Sequence, residues 1–317
     1  MTKIEDPRIQ ERSRYKLSIS FRLLTRLLLS LPFRFIALGL ASVHLSNNIR
    51  HLASIMAPTA KRALSALQPK KVVKSNTATT PLAKLPVIKI NHGFESLGTH
   101  CLRYISPELK SLIDSGAKLI VGAFDLDDTL VKTKSGGKFP RTAEDWQWWH
   151  NKVPESLNTW IRDKDVEDQD DSFSKVLVLF TNQGGVTNTI PTSGPNKPSL
   201  SFAKLHSRLH QVVSSPQLAG LPLAVYAATK KSKAKMGAST MGNDNESPDA
   251  VHSEFRKPGP GMWNQLKRDV HPCLVLKDRS VYVGDAAGRK GDFSDSDKNF
   301  AQGLGLKFQT PEEFFSL

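Results

Sequence analysis

Residues 119–131 read Leu-Ile-Val-Gly-Ala-Phe-Asp-Leu-Asp-Asp-Thr-Leu-Val, and no other stretch restricts the fold as tightly. The run Leu119 to Phe124 predicts a strand buried on both faces, the kind found inside a parallel sheet. It stops abruptly at Asp125, with Asp127 and Asp128 beyond. Ligands of open α/β sheets sit at the carboxyl ends of strands, so the run delivers Asp125 and Asp127 to the place where a site would be. Neighbouring carboxylates repel and want a cation between them. Mg²⁺ prefers one or two carboxylates with phosphate oxygens and waters. One carboxylate can attack phosphorus while the other protonates the leaving oxygen. Asp-x-Asp alone fits a solvated acidic turn equally well, so partners elsewhere in the chain must decide.

Those partners lie on an alternation of strands and helices. A short strand is expected at Val87 to Ile90 and a helix at Pro107 to Ser115, closed by Gly116. Further strands are expected at Val176 to Phe180, Leu223 to Ala228, Ser280 to Val283 and Leu306 to Gln309. Helices fit Pro154 to Arg162, Ser199 to Ser214 and Gly261 to Asp269. Asp163 to Asp171 reads as an acidic loop, and Thr229 to Ser253, polar and Gly-rich, as an excursion from the core. Trp146, Trp148 and Trp149 read as packing residues. Such an order predicts an α/β fold, a doubly wound parallel sheet with right-handed crossovers.

Charge separates this domain from what precedes it. The 317 residues carry a net +14, but residues 1–85 hold 15 Lys and Arg against three acids, leaving 29 basic and 27 acidic residues for 86–317. A polyanion bound by the nearly neutral part needs a local patch. The boundary falls near Leu85, after a Thr/Pro/Ala linker: 1–85 is a basic, low-order tail and 86–317 the folded domain. Three readings of the tail stand open: a mitochondrial targeting segment, a start at Met56, or a basic arm for nucleic acid or nuclear import. The longest clean apolar run there, Phe35 to Leu45, has 11 residues against the roughly 20 a spanning helix needs, so no membrane span is expected. Cys101 and Cys273 lack metal-ligand spacing and argue for a reducing compartment.

Thr181 follows the second long strand, Lys257 lies beyond the third and Asp285 ends the fourth. Singly, these read as a helix N-cap, a surface lysine and a turn residue. Jointly with Asp125-Leu-Asp127-Asp-Thr129 they resemble the haloacid dehalogenase superfamily of aspartate-nucleophile phosphatases. The resemblance implies Asp125 as nucleophile, Asp127 as general acid and later base, and Mg²⁺ held by Asp125, the Asp127 backbone carbonyl and Asp285. It implies Thr181 and Lys257 on the phosphoryl oxygens. Phe180-Thr-Asn-Gln-Gly184, Arg256-Lys-Pro-Gly259, Val283-Gly-Asp-Ala-Ala-Gly-Arg289, Asp292-Phe-Ser294 with Asp297, and Thr310-Pro-Glu-Glu-Phe-Phe315 resemble more narrowly the phosphatase domain of polynucleotide kinase 3′-phosphatases. Two departures stand out. Asp128 replaces the family's usual glycine, and Ala286 replaces a frequent second acid, with Asp292 as the expected outer substitute.

That resemblance implies a Mg²⁺-dependent polynucleotide 3′-phosphatase in DNA repair, acting on DNA with 3′-phosphate ends in the nucleus, and also in mitochondria if the tail targets them. Asn182, Arg256 and Arg289 are expected to bind substrate. Phe139 either stacks on a base or packs under its loop. No Gly-x-x-x-x-Gly-Lys-Ser/Thr occurs in the chain, so no nucleoside triphosphate site and no 5′-kinase activity are expected; the chain resembles the stand-alone fungal enzymes. Protein partners are unspecified and a monomer is assumed. Two other functions remain at this point, a phosphatase of a small metabolite and an inactive DNA-end-binding scaffold.

Overall fold

The computed structural model describes residues 87–163, 173–188, 198–231 and 247–317. The tail expectations, most of the acidic 163–171 loop and the middle of the 229–253 excursion lie outside them. Among the described residues the elements run β1 (Val87–Lys89), β2 (Phe94–Leu97), β3 (Cys101–Ile105), α1 (Pro107–Asp114), β4 (Lys118–Phe124), β5 (Val131–Lys132), β6 (Gln147–Trp148), α2 (Val153–Arg162), β7 (Phe173–Thr187), α3 (Leu200–Val213), β8 (Leu223–Lys230), α4 (Asp249–Phe255), α5 (Gly261–Asp269), β9 (Leu274–Val275), β10 (Val281–Val283), α6 (Ser296–Leu304), β11 (Lys307–Gln309) and α7 (Pro311–Phe314).

The main sheet has the order β1-β2-β3-β8-β7-β4-β10-β11, with β9 also paired to β4. From β8 to β11 the pairings are parallel. Beyond β8 the parallel expectation fails: β3, β2 and β1 add on antiparallel. The tight turn between β2 and β3, with Gly98 at φ +48°, makes a hairpin whose two strands are necessarily antiparallel, and β3 joins β8 antiparallel as well. A separate two-stranded ribbon, β5–β6, stands outside the main sheet.

Both faces of the sheet are buried, and the strand period of two sorts their side chains. Val176, Val178 and Phe180 join one core with Val121, Ala123, Tyr226 and Tyr282. Leu177 and Leu179 join the other with Phe124, Val225, Val281 and Val283. Helices α1, α4, α5 and α6 cover the first face, through Leu109, Phe255, Trp263 and Phe300 among others. Helices α2 and α3 cover the second, through Val153, Leu157, Leu205 and Leu209. Gly122 interrupts the apolar run of β4 because the ring of Trp160 fills the space its side chain would need.

Two predicted boundaries move. β7 continues through Thr181, Asn182 and Gln183, paired with Ala227, Ala228 and Thr229 before the register shifts. The apolar run ends at Phe180 because the core ends there, while backbone pairing persists. The excursion predicted from Thr229 begins and ends in regular structure, since Thr229 and Lys230 belong to β8 and Asp249–Phe255 is helical.

Candidate active site

The carboxyl ends of β4, β7 and β10 converge. Asp125 directly follows β4, and its N–H donates to the Val283 carbonyl of β10 at 2.9 Å, tying the two strand ends together. Lys257 enters from the segment between α4 and α5. Its buried ammonium donates to Asp125 Oδ1 at 2.6 Å, Asp297 Oδ1 at 2.7 Å and the Tyr282 hydroxyl at 2.8 Å. An ammonium has three N–H donors, so all are committed. Tyr282 Oη in turn donates to Asp297 Oδ1 at 2.9 Å, and the Ala286 N–H donates to Asp297 Oδ2 at 3.1 Å.

Asp125, Asp285 and Asp297 bring carboxylate oxygens within 4.8 Å of one another. Thr129 supports this group by accepting the Asp285 N–H at 3.1 Å, with its own hydroxyl 3.4 Å from Asp285 Oδ1. Gly284 makes the approach of Asp297 sterically feasible, since a Cβ at that position would collide with the Asp297 carboxylate. The electrostatics follow from three acids facing one ammonium. Burial raises the Asp125 pKa well above the carboxylate range; Lys257 opposes this, and repulsion from Asp297 and Asp285 adds to it. Burial, then Asp297, pushes Asp285 up to about 6. Burial works against the Lys257 charge, but Asp125 and Asp297 outweigh it and raise its pKa. An uncompensated, all-oxygen donor set of this kind fits a hard divalent cation.

The Asp127 carboxylate lies outside that group. Arg208 of α3 grips it with two bonds, 2.7 Å to Oδ1 and 3.2 Å to Oδ2, and the Gln183 amide donates to Oδ2 at 2.8 Å. The same amide donates to Thr181 Oγ1 at 2.9 Å, which leaves the Thr181 O–H to donate elsewhere. Asn182 has both ends of its amide on the backbone of Lys257: the Lys257 N–H donates to Oδ1 at 2.9 Å and Nδ2 donates to the Lys257 carbonyl at 3.0 Å. Its side chain positions the Lys257 segment.

The outer residues divide. Arg256 is exposed, its guanidinium lies over Gly184, and no carboxylate among the described residues pairs with it. Arg289 is engaged within the protein, by Asp292, by Glu312 at 3.1 Å and by the Asp285 carbonyl at 3.2 Å. Asp292 spends its carboxylate on the Ala287 and Arg289 N–H groups, and the third carboxylate beside Asp125 and Asp285 is that of Asp297. Phe139 is 72% exposed.

Sequence reasoning assigns no role to Asp297, Tyr282, Gln183, Thr129 or Arg208. Thr129, Gln183 and Asp297 lie within the motifs quoted above without a role of their own, and Arg208 carries a local signal as a charge among Leu205, Leu209 and Val212 on the apolar stripe of α3. A buried arginine in such a stripe needs a partner, and Asp127 is that partner.

The sequence is similar to known proteins over this same region. The profile described as "Polynucleotide kinase 3 phosphatase" matches residues 120–315. A bifunctional polynucleotide phosphatase/kinase of Schizosaccharomyces pombe is 38% identical over 193 residues, 61% of this chain and 36% of that one. Polynucleotide 3′-phosphatases of Saccharomyces mikatae and Saccharomyces cerevisiae are 34% and 32% identical, over 62% of this chain and 85% and 87% of theirs. The chain therefore spans about a third of the bifunctional relative and most of the two Saccharomyces proteins.

Proposed function

This chain belongs to the polynucleotide kinase 3 phosphatase family, and we propose on that premise that it hydrolyses the 3′-phosphate of DNA strand ends through an aspartyl-phosphate. The observation that carries the reading is the convergence of Asp125, Lys257, Asp285 and Asp297 at neighbouring strand ends beside Asp127. A haloacid dehalogenase-like, doubly wound arrangement is the fold we infer, supported by helices on both faces of a largely parallel sheet.

In this mechanism a carboxylate oxygen of Asp125 attacks phosphorus and the P–O bond to the ribose 3′ oxygen breaks. Asp127 gives that oxygen its proton. Asp127 then removes a proton from the water that cleaves the acyl phosphate, which regenerates Asp125, releases inorganic phosphate and reprotonates Asp127. The free Thr181 O–H binds a phosphoryl oxygen, and Lys257 joins it by giving up one of its three bonds, while Arg208 and Gln183 hold Asp127 in register. Asp125, Asp285 and the Asp127 backbone carbonyl would hold Mg²⁺, with Asp297 beside them. When bound, the cation neutralises phosphoryl charge, the main requirement of phosphoryl transfer. Arg256, with no carboxylate partner among the described residues, suits a backbone phosphate. Arg289 can join it only by leaving Asp292 and Glu312.

We place the activity in repair of nuclear DNA breaks, with residues 1–85 as a candidate second address to the mitochondrion, and we expect no phosphorylation of 5′ ends. Phosphate release from a nicked duplex bearing a 3′-phosphate tests the reading. Release is expected with Mg²⁺, not with EDTA, not from a 5′-phosphorylated control and not by Asp125→Asn. Turnover retained in Asp125→Asn would remove the nucleophile assignment. Hydrolysis of an aryl phosphate without hydrolysis of DNA would remove the substrate.

A further inference from the structure

His92, His206 and His210 take no part in the proposed reaction, yet their rings come together where the turn between β1 and β2 meets α3. His206 and His210 stand four positions apart on α3, which places them one above the other on one face of the helix. His92 belongs to the turn Asn91–Gly93 and lies against them. Its ring is stacked on that of His210, with centres 3.9 Å apart and planes 11° from parallel, and its centre is 5.8 Å from that of His206. His92 is exposed and the two helix residues are half-buried, so the group is open to solvent. We propose that His92, His206 and His210 form a binding site for a divalent transition-metal ion such as Zn²⁺, with water completing the coordination.

Backbone, hydrogen bonds and charge state all support this assignment. His92 adopts φ +61° and ψ +30°, left-handed values that cost a residue other than glycine free energy and that histidine accepts more readily than most. The turn so formed carries its ring over α3. His206 Nε2 donates to the Asn91 carbonyl at 3.0 Å. A carbonyl only accepts, so the neutral ring keeps its lone pair on Nδ1. His210 Nδ1 meets Ser214 Oγ at 3.1 Å; with Nδ1 as donor, Nε2 holds the lone pair. Metal-bound histidines are oriented in this way, through the nitrogen that the ion does not use. Burial, opposed by the Asn91 carbonyl and aided by His92, lowers the His206 pKa; burial, then His92 and His206, lowers that of His210. Both rings are therefore neutral at neutral pH, as ligation requires. The rings of His92 and His210 present their faces to each other, and a turn of the exposed His92 side chain, a fast motion, brings its nitrogen within ligating span of the other two. Imidazole nitrogens suit zinc, copper and nickel, whereas the oxygens of Asp125, Asp285 and Asp297 suit magnesium, so the two sites select different ions. An ion held by the three histidines joins the β1–β2 turn to the helix whose Arg208 grips Asp127. The site stands independently of the reaction.

Calorimetric titration of Zn²⁺ into the full chain, with Mg²⁺ in excess, tests the site. Wild type is expected to bind, and His206→Ala and His210→Ala to bind at least about 10-fold more weakly, since loss of a ligand's outer partner alone costs that much. His92→Gly separates ligation from folding. Glycine is at ease at φ +61°, so this variant should melt no lower than wild type without metal and still lose Zn²⁺ affinity by the same factor. Asp285→Asn should bind Zn²⁺ as wild type does. Electron spin resonance of bound Cu²⁺ gives a second readout, in which coupling to imidazole nitrogen should weaken in His210→Ala. No Zn²⁺ binding by the wild type, affinity unchanged in the histidine variants, or equal nitrogen coupling in wild type and His210→Ala overturns the proposal. Affinity kept by His92→Gly alone overturns the three-histidine set. Affinity lost in Asp285→Asn and kept in the histidine variants puts the ion among the carboxylates and overturns it as well.

Discussion

Asp128 shows how one backbone angle decides what a position tolerates. Its φ of +58° lies in the left-handed region, where glycine is at ease and Asp is among the few side chains that follow. The Asp128 N–H donates to the Val131 carbonyl at 2.8 Å, closing the turn that carries Asp127. The glycine usual here in the resembling family and the Asp of this chain therefore satisfy the same constraint. Burial and then the charge of Asp127 raise the Asp128 pKa, so the side chain also brings some repulsion. Asp128→Gly is expected to preserve phosphate release and add up to about 1 kcal/mol of stability, and Asp128→Val to cost about 1–2 kcal/mol. Urea unfolding of the three proteins checks both. At the same scale, Asp125, Asp127, Thr181 and Asp285 were legible because each stands at or near an apolar run that predicts a strand, and Lys257 only through the resemblance of its Arg256-Lys-Pro-Gly259 motif. Tyr282 was not, because a tyrosine inside such a run looks like any core residue until Lys257 is seen beside its hydroxyl.

The elements differ in how they present chemistry. β7 carries Thr181 and Gln183 on continued strand pairing, so their side chains inherit the rigidity of the sheet, whereas Lys138 and Phe139 sit on a loop that depends on one carboxylate. The Arg141 N–H, followed by the Ser135 hydroxyl and N–H, pulls the Asp145 pKa from 3.8 down to about 2. A depressed acid contributes stability above its unfolded value and loses it as pH falls through its folded one. The amides of Ser135 and Arg141 are therefore expected to lose hydrogen-exchange protection as pH falls from about 4 through about 2, and in Asp145→Ala to lack it already at neutral pH. Protection unchanged in that variant would show that the loop is held by something other than Asp145. The helix α3 was legible from its apolar stripe, but the use of Arg208 was not. Its partner lies 81 positions away and meets it only when α3 packs on the sheet.

For the whole molecule, the same packing that builds the site also buries polar groups outside it. His100, at the β2–β3 turn, meets Ser247 Oγ at 2.7 Å and the Phe255 ring at 4.2 Å between centres. Burial first, then His252 and Arg268, lowers its pKa from 6.5 to about 3. Between those values the unfolded chain binds the extra proton, so stability falls as pH falls. The loss attributable to His100 is about 3 kcal/mol by about pH 4, and Asp285, with its raised pKa, acts in the opposite sense. Urea midpoints at neutral and acid pH should accordingly converge in His100→Asn relative to wild type. An identical pH profile in the variant would show that His100 does not stay neutral. The alternation of apolar strands and amphipathic helices, and the carboxylates at the end of β4, were determined by the sequence alone, because periodicity and strand polarity act over a few residues. The antiparallel β1–β3 edge, the meeting of Asp297 and Tyr282 with Lys257 and the grip of Arg208 on Asp127 were decided only in tertiary structure. Each depends on which strands become neighbours, and that is settled by burying both faces of one sheet at once.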